Sequence, residues 1–181
     1  MLVGLARDGT DGQKVQAAGA LSNLACDNPT ICDAVRESGG IPVLVGLARD
    51  GTDGLKEQAV DVLSDLAFYN LANRDAVRES GGIPVLVGLA RDGTDGQKES
   101  AVSVLRNLTC NNPVNGDAVL ESGGIPVLVG LARDGTDEQK ENAVYALQSL
   151  VCDNQANPTR DVKRKSDETA PSQVRSCLNH R

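Results

Sequence analysis

Fifteen residues, "GGIPVLVGLARDGTD", run from Gly39 to Asp53. They return unchanged from Gly81 to Asp95 and from Gly123 to Asp137. The copies are 42 residues apart, and the chain opens on the same phrase with its beginning missing, "LVGLARDGTDGQK" from Leu2 to Lys14. Self-similarity at a period of roughly 20–50 residues marks a solenoid, propeller or array, whose units bury their apolar faces only against one another. A period of 42 suits either a bundle-like helical repeat or a four-stranded propeller blade. Composition separates them. A blade needs alternating strands and a Trp-Asp signature, but the chain has no Trp, one Phe and two Tyr. Ala, Leu, Gln and Glu recur instead at helical spacing. The 181 residues hold about four units, and roughly three stacked repeats suffice for stability.

Each unit reads as three helices. "NPTICDAVRES" starts on Asn28 as N-cap with Pro29 at the first helical position, where a missing N–H costs nothing. Ile31, Ala34 and Val35 share a face, and Gly39-Gly40 ends the helix, since glycine accepts the left-handed conformation. "IPVLVGLAR" restarts with Pro42 in its first turn and an apolar stripe of Val43, Leu44, Leu47 and Ala48. Gly46, repeated as Gly4, Gly88 and Gly130, costs about 1 kcal/mol against Ala inside a helix. Its recurrence predicts close approach of a neighbouring helix. The third helix opens on a capping box, Thr10-x-x-Gln13, Thr94-x-x-Gln97 and Thr136-x-x-Gln139. The second repeat breaks the box with Thr52-x-x-Leu55. Ala59, Val62, Leu63, Leu66 and Ala67 then follow at spacings of three and four, an amphipathic pattern.

A short, a middle and a long helix in a unit of 42 resemble the armadillo repeat. "GGIPVLVGLARDGTDGQKESAVSVLRNLTCNN" is similar to a consensus segment of its middle and long helices, and the likeness runs from Met1 to about Asp153. The resemblance implies an all-α fold, a right-handed α-α superhelix (armadillo solenoid) with three helices per repeat. It places the solenoid over residues 1–156, in about four repeats, the first lacking its first helix. Residues 157–181 are either a degenerate polar cap or a disordered basic tail.

In such a solenoid the long helix lines the concave side. The positions left over by its apolar stripe are Gln16, Gly19, Asn23 and Asp27 in the first repeat, and Gln58, Asp61, Asp65 and Tyr69 in the second. The third offers Ser100, Ser103, Asn107 and Asn111, and the fourth Asn142, Tyr145, Ser149 and Asp153. A copied scaffold that varies along one stripe is how a recognition surface would be written. As read, the stripe holds four carboxylates (Asp27, Asp61, Asp65, Asp153) and neither Lys nor Arg. An Asn amide donates and accepts at once, so it can hold an extended peptide by its backbone. In relatives resembling importin-α and β-catenin, an Asn of the third helix does this. Asn23 and Asn107 match that position, and Asp65 and Ser149 replace it. Importin-like repeats carry Trp where this chain has Gly19, Asp61, Ser103 and Tyr145, which counts against a nuclear-import receptor. Only Tyr145 offers an aromatic wall for a cationic stem. The expected partner is therefore an extended, basic protein segment.

Other functions find little support. No His–carboxylate–nucleophile set exists, since the one His is His180, so no enzyme is expected. "DGTDG" supplies two Asp and a Thr where a calcium loop needs about six ligands, so neither metal nor cofactor is expected. Residues 160–181 carry six basic and three acidic side chains, leaving the rest at −10. An acidic body is a poor nucleic-acid binder. No run of 18 apolar residues and no lipidation signal suggest a membrane. Five cysteines without a disulfide-like cluster fit a reducing, cytoplasmic setting, and Lys163-Arg164-Lys165 also admits the nucleus. Cys26, Cys110 and Cys152, with Phe68, share one place per repeat and read as core filling. Because Met1 enters mid-repeat, Leu2, Val3 and Leu5 face open surface. A homodimer through the N-terminal end is the expectation, and self-association of uncapped ends is the alternative to peptide binding.

Overall fold

Asparagine starts every first helix. In a computed structural model that describes residues 1–156 (the side chains of Tyr69 and of residues 152–156 excepted), the first helices are α3 (Pro29–Glu37), α6 (Leu71–Glu79) and α9 (Pro113–Glu121). The expected cap or tail at 157–181 lies outside the described residues. Asn28, Asn70 and Asn112 cap these helices, their side chains accepting from the backbone N–H of Ile31 at 3.2 Å, Ala72 at 2.7 Å and Asn115 at 3.1 Å. The amides of Asn70 and Asn112 also donate to Asp33 Oδ1 (2.8 Å) and Asp75 Oδ1 (3.1 Å) of the preceding repeat. The cap is thus also a rung between repeats. A second rung joins Arg78 Nε to Asn115 Oδ1 at 3.0 Å. Two buried side-chain atoms, Arg36 Nε and Asn73 Oδ1, make no hydrogen bond among the described residues. They are the counterparts, one repeat earlier, of the two atoms that form this rung.

The middle helices are α1 (Leu2–Asp8), α4 (Gly40–Asp50), α7 (Gly82–Asp92) and α10 (Gly124–Asp134). The two glycines before them do different work. Gly39, Gly81 and Gly123 hold φ of +70°, +72° and +73°, the left-handed turn that swings the chain from first to middle helix. The second glycine is already helical and is required by packing: a Cβ on Gly82 would lie 2.7 Å from Val77 Cγ1 and 2.8 Å from Val77 O. Ile41, Leu44, Val45, Leu47 and Ala48 are buried. Val43 is only partly covered, so the stripe is rotated toward Val45 from the expected one. The close approach expected at Gly46 is absent. A Cβ on Gly4, Gly46, Gly88 or Gly130 would meet nothing within 4 Å. Gly46 lines a surface recess with Ala6, Leu47 and Leu55, and no helix crosses there.

The long helices are α2 (Asp11–Ala25), α5 (Asp53–Tyr69), α8 (Asp95–Thr109) and α11 (Asp137–Ala156). Capping boxes open α2 and α8, and Thr136 and Gln139 exchange the same pair of bonds at α11. Thr52 makes no such bond. The box glutamine has a further role: Gln97 Nε2 donates to Asp53 O at 3.1 Å and Gln139 Nε2 to Asp95 O at 3.0 Å. At Leu55 an apolar side chain, equally buried, replaces that rung. Ala59, Val62, Leu63, Leu66 and Ala67 are fully buried, as expected. The cysteine expectation fails. Cys26 and Cys110 are exposed at the C-caps of α2 and α8, and their counterpart Phe68 is exposed in α5, because at each place it is the preceding residue (Ala25, Thr109, Ala67) that turns into the core. The side chain of Cys152 lies outside the described residues. Cys32 is the buried thiol, donating to Ala25 O at 3.5 Å.

Both ends of the array expose residues that internal repeats cover. Leu5 and Leu24 are exposed at one end, and Ile125, Val129, Val144 and Val151 at the other, whereas their counterparts Ile83, Val87 and Val102 are at most 2% exposed. The open apolar surface is therefore not confined to the N-terminal end. Because Gly46, Gly88 and Gly130 hold ordinary helical backbone beside open space, changing any one to Ala should stabilise the fold by about 0.5–1 kcal/mol. Gly82→Ala should destabilise it. Guanidinium denaturation midpoints check both signs.

Candidate binding groove

The stripe of variable residues becomes a surface because the long helices stack in order, α2 on α5, α5 on α8 and α8 on α11. Their neighbouring side chains knit it together. Gln58 Oε1 lies against Gly19, where a Cβ would meet it at 3.1 Å. Ser100 Oγ donates to Asp61 Oδ1 at 2.6 Å, Ser64 and Ser103 hydroxyls meet at 3.1 Å, and Asn107 Nδ2 donates to Ser64 O at 3.4 Å. Each contact crosses from one repeat to the next. Of the residues chosen from the sequence, these contacts bring Gly19, Gln58, Asp61, Ser100, Ser103 and Asn107 together.

Their exposure differs. Asn23, Asp27, Asn111 and Tyr145 are exposed, while Asp61, Asp65, Ser103, Asn107 and Ser149 are half-buried. Asn142 is buried, at 6% exposure. The side chains of Tyr69 and Asp153 lie outside the described residues. Asp27 and Asn111 close their helices at φ of +53° and +52°, a left-handed conformation that Asp and Asn tolerate better than most residues. A Tyr in that place would be strained. The second repeat instead extends α5 through Tyr69, and Asn70 ends α5 and caps α6. Arg74 serves that end, donating to Ala67 O at 2.7 Å, Phe68 O at 3.2 Å and Cys110 O at 2.9 Å. Asn107 spends one amide hydrogen on the scaffold, which leaves its second hydrogen and Oδ1 for a ligand.

The charge of the face is uneven. Asp27, Asp61 and Asp65 converge at its α2–α5 side. Burial, and then the charges of Asp61 and Asp27, push the Asp65 carboxyl above the ordinary carboxylate range. The sequence reading of a face without Lys or Arg does not survive. Arg106 of α8 reaches over to α11, its guanidinium carbon 4.6 Å from the centre of the Tyr145 ring, and Nη1 donates to Asn142 Oδ1 at 3.0 Å. Spacing along one helix left Arg106 off the stripe. Its long stem spans to the next helix, a reach that helical periodicity does not record. The aromatic wall expected to await a ligand's cation is thus faced by the chain's own. A second acidic pair was also missed. Glu99 lies against Glu138, and burial, then the charges of Glu138 and Asp61, push its carboxyl above the ordinary range. Glu138 stands where the earlier repeats have Gly12, Gly54 and Gly96, so at this height only the last junction, among the described residues, pairs two carboxyls.

Comparison with known proteins agrees with this architecture. The family model described as the armadillo/beta-catenin-like repeat matches residues 28–68, 70–110 and 112–152. Among solved structures, the designed armadillo repeat protein YIII(Dq)4CqI is similar, with 27% identity and a TM-score of 0.78 over 82% of this chain and 63% of that one. A computationally designed armadillo repeat protein for modular peptide recognition has 27% identity and a TM-score of 0.77 over 82% and 62%. The chain thus spans less than two thirds of these structures. No curated protein matches it.

The Asp65 environment has a measurable consequence. A folded-state pKa above the unfolded one means that the folded chain keeps a proton the unfolded chain releases. Stability should therefore fall as pH rises from the ordinary carboxylate value through that of Asp65. Asp65→Asn should melt higher than the unaltered chain at neutral pH and lose that part of the slope in a melting-temperature series against pH.

Proposed function

The chain belongs to the armadillo/beta-catenin-like repeat family, and from that premise we propose that the face of α2, α5, α8 and α11 binds an extended segment of another protein, seating a basic side chain over Asp61 and Asp65. The observation that carries this reading is the pair of half-buried carboxylates Asp61 and Asp65 on α5, with the exposed Asp27 just past α2 beside them. Carboxylates that crowd one another enough to raise a pKa are a cost to the fold and attract a cation. No ion pair reaches Asp61 or Asp65 among the described residues. Asn107, one repeat on, supplies the amide that can pair with a peptide backbone. A similar designed structure is described as made for modular peptide recognition, which supports the same use of the face here. The role is binding rather than catalysis.

Fluorescence anisotropy with extended Lys/Arg peptides tests this. Binding should weaken as salt rises. Changing Asp61 and Asp65 together to Asn should abolish the preference for basic over neutral peptides, and Asn107→Ala should cost about 1–3 kcal/mol if it leaves a buried peptide group unpaired. A basic preference that survives the double change at low salt would refute the assignment of these two carboxylates.

The exposed end residues favour a second reading, self-association through the ends. A dimer through the N-terminal face would cover Leu5 and Leu24, and contact of unlike ends would cover Val129 and Val144 as well. Light scattering over a range of concentrations should show mass above the monomer. A strict monomer at high concentration would remove this reading.

A further inference from the structure

The charge of the groove changes sign along its length. We propose that its ligand does too, carrying a Lys or Arg over Asp61 and Asp65 and a carboxylate at Arg106 a few residues away. This rests on the peptide-binding reading above and specifies the ligand further.

Height in the stack comes first. Asp61 and Asp65 of α5 correspond to Ser103 and Asn107 of α8, 42 residues on. Arg106 therefore lies level with the two carboxylates, and a strand crossing the helices meets both. Orientation comes second. The guanidinium is stacked on Tyr145 and tied to the buried Asn142, so its direction is set before any ligand arrives. Charge balance comes third. Arg36, Arg78, Arg91 and Arg133 each sit against an Asp or Glu of their own helix end, and Arg74 sits on helix-end carbonyls. Among the described residues Arg106 is answered only by neutral groups. One of its five N–H donors is used by Asn142, and the remaining fork suits a carboxylate. Glu138 stands one turn before Asn142 on α11, so the acidic pair Glu99 and Glu138 flanks the guanidinium on the helix-start side, but neither forms an ion pair with it among the described residues.

Spacing turns this into a pattern. Packed helices stand about 8–10 Å apart, and an extended chain advances about 3.3 Å per residue. Neighbouring repeats are therefore about three ligand residues apart. The Arg106 head lies between α8 and α11, which puts the ligand's acid about three to five residues from its base. A second Lys or Arg at that place would meet the guanidinium and be repelled.

Three labelled ten-residue peptides on one neutral host test the idea with the full chain at low salt. One carries a Lys-Arg pair alone, one adds Glu four residues toward the C-terminus, and one adds Glu four residues toward the N-terminus. The better of the two Glu peptides should bind about five- to tenfold more tightly than the basic one. Arg106→Glu should reverse the order, so that the basic peptide binds best, a gain that a misfolded variant would not show. The proposal is overturned if the basic peptide matches or exceeds both Glu peptides, or if Arg106→Glu leaves the order unchanged. In those cases binding of the basic peptide still upholds the broader reading. Binding of none of the three would overturn both.

Discussion

Everything in this chain depends on one interface made repeatedly, the stacking of each long helix against the next. Ala59, Val60, Val62, Leu63, Leu66 and Ala67 of α5 are all fully buried, as are Ala101, Val102, Val104, Leu105 and Leu108 of α8. Burial of such side chains stabilises by roughly 1.5–3 kcal/mol for each large one; the middle helix of the same repeat covers one side of the long helix, and the neighbouring long helices cover most of the rest. The first and middle helices complete the enclosure. Polar rungs set the register: the capping asparagines of the first helices and the box glutamines of the long ones each tie their own helix start to the repeat before. One side chain thus starts a helix and aligns two repeats.

The same stacking makes the groove. Side chains on the free edge of each long helix are brought beside those of the next, and their chemistry is a property of pairs. Asp61 is held by a serine of the following helix. Asp65 is crowded by Asp61 and Asp27, and Arg106 is fixed by two residues of the following helix. A binding surface assembled from pairs can change sign between neighbouring repeats while the scaffold stays constant. The acidic α2–α5 side and the Arg106 site on the α8–α11 side are one such change.

Helix boundaries and caps were legible because they depend on local chemistry. The threonine–glutamine box, its loss at Thr52, the Asn-Pro starts and the buried stripe of α5 all stand as read. The errors share a cause. Gly46 recurs, and recurrence suggested contact, yet it borders an open recess. Cys26 and Cys110 recur at one place in the repeat, and recurrence suggested core filling, yet they face solvent while the adjacent Ala25 and Thr109 are buried. Arg106 lies off the stripe by angle and joins it by length. In each case the sequence offered a direction from one helix, and the outcome depended on the distance to another.

The sequence by itself determined the period, the three helices of each repeat, the residues that start and end them, and which face of the long helix is left polar. These follow from hydrogen bonds and side-chain spacing within a few residues, which a linear string records. The tertiary structure alone decided which polar residues meet. It brought Asp65 within reach of Asp61 and Asp27, placed Arg106 on Tyr145, set Glu99 against Glu138, and left Ile125 and Val129 uncovered while burying identical residues one repeat earlier. Those outcomes depend on side-chain reach between stacked helices and on what packs against each helix from the neighbouring repeats, which spacing within one helix does not encode.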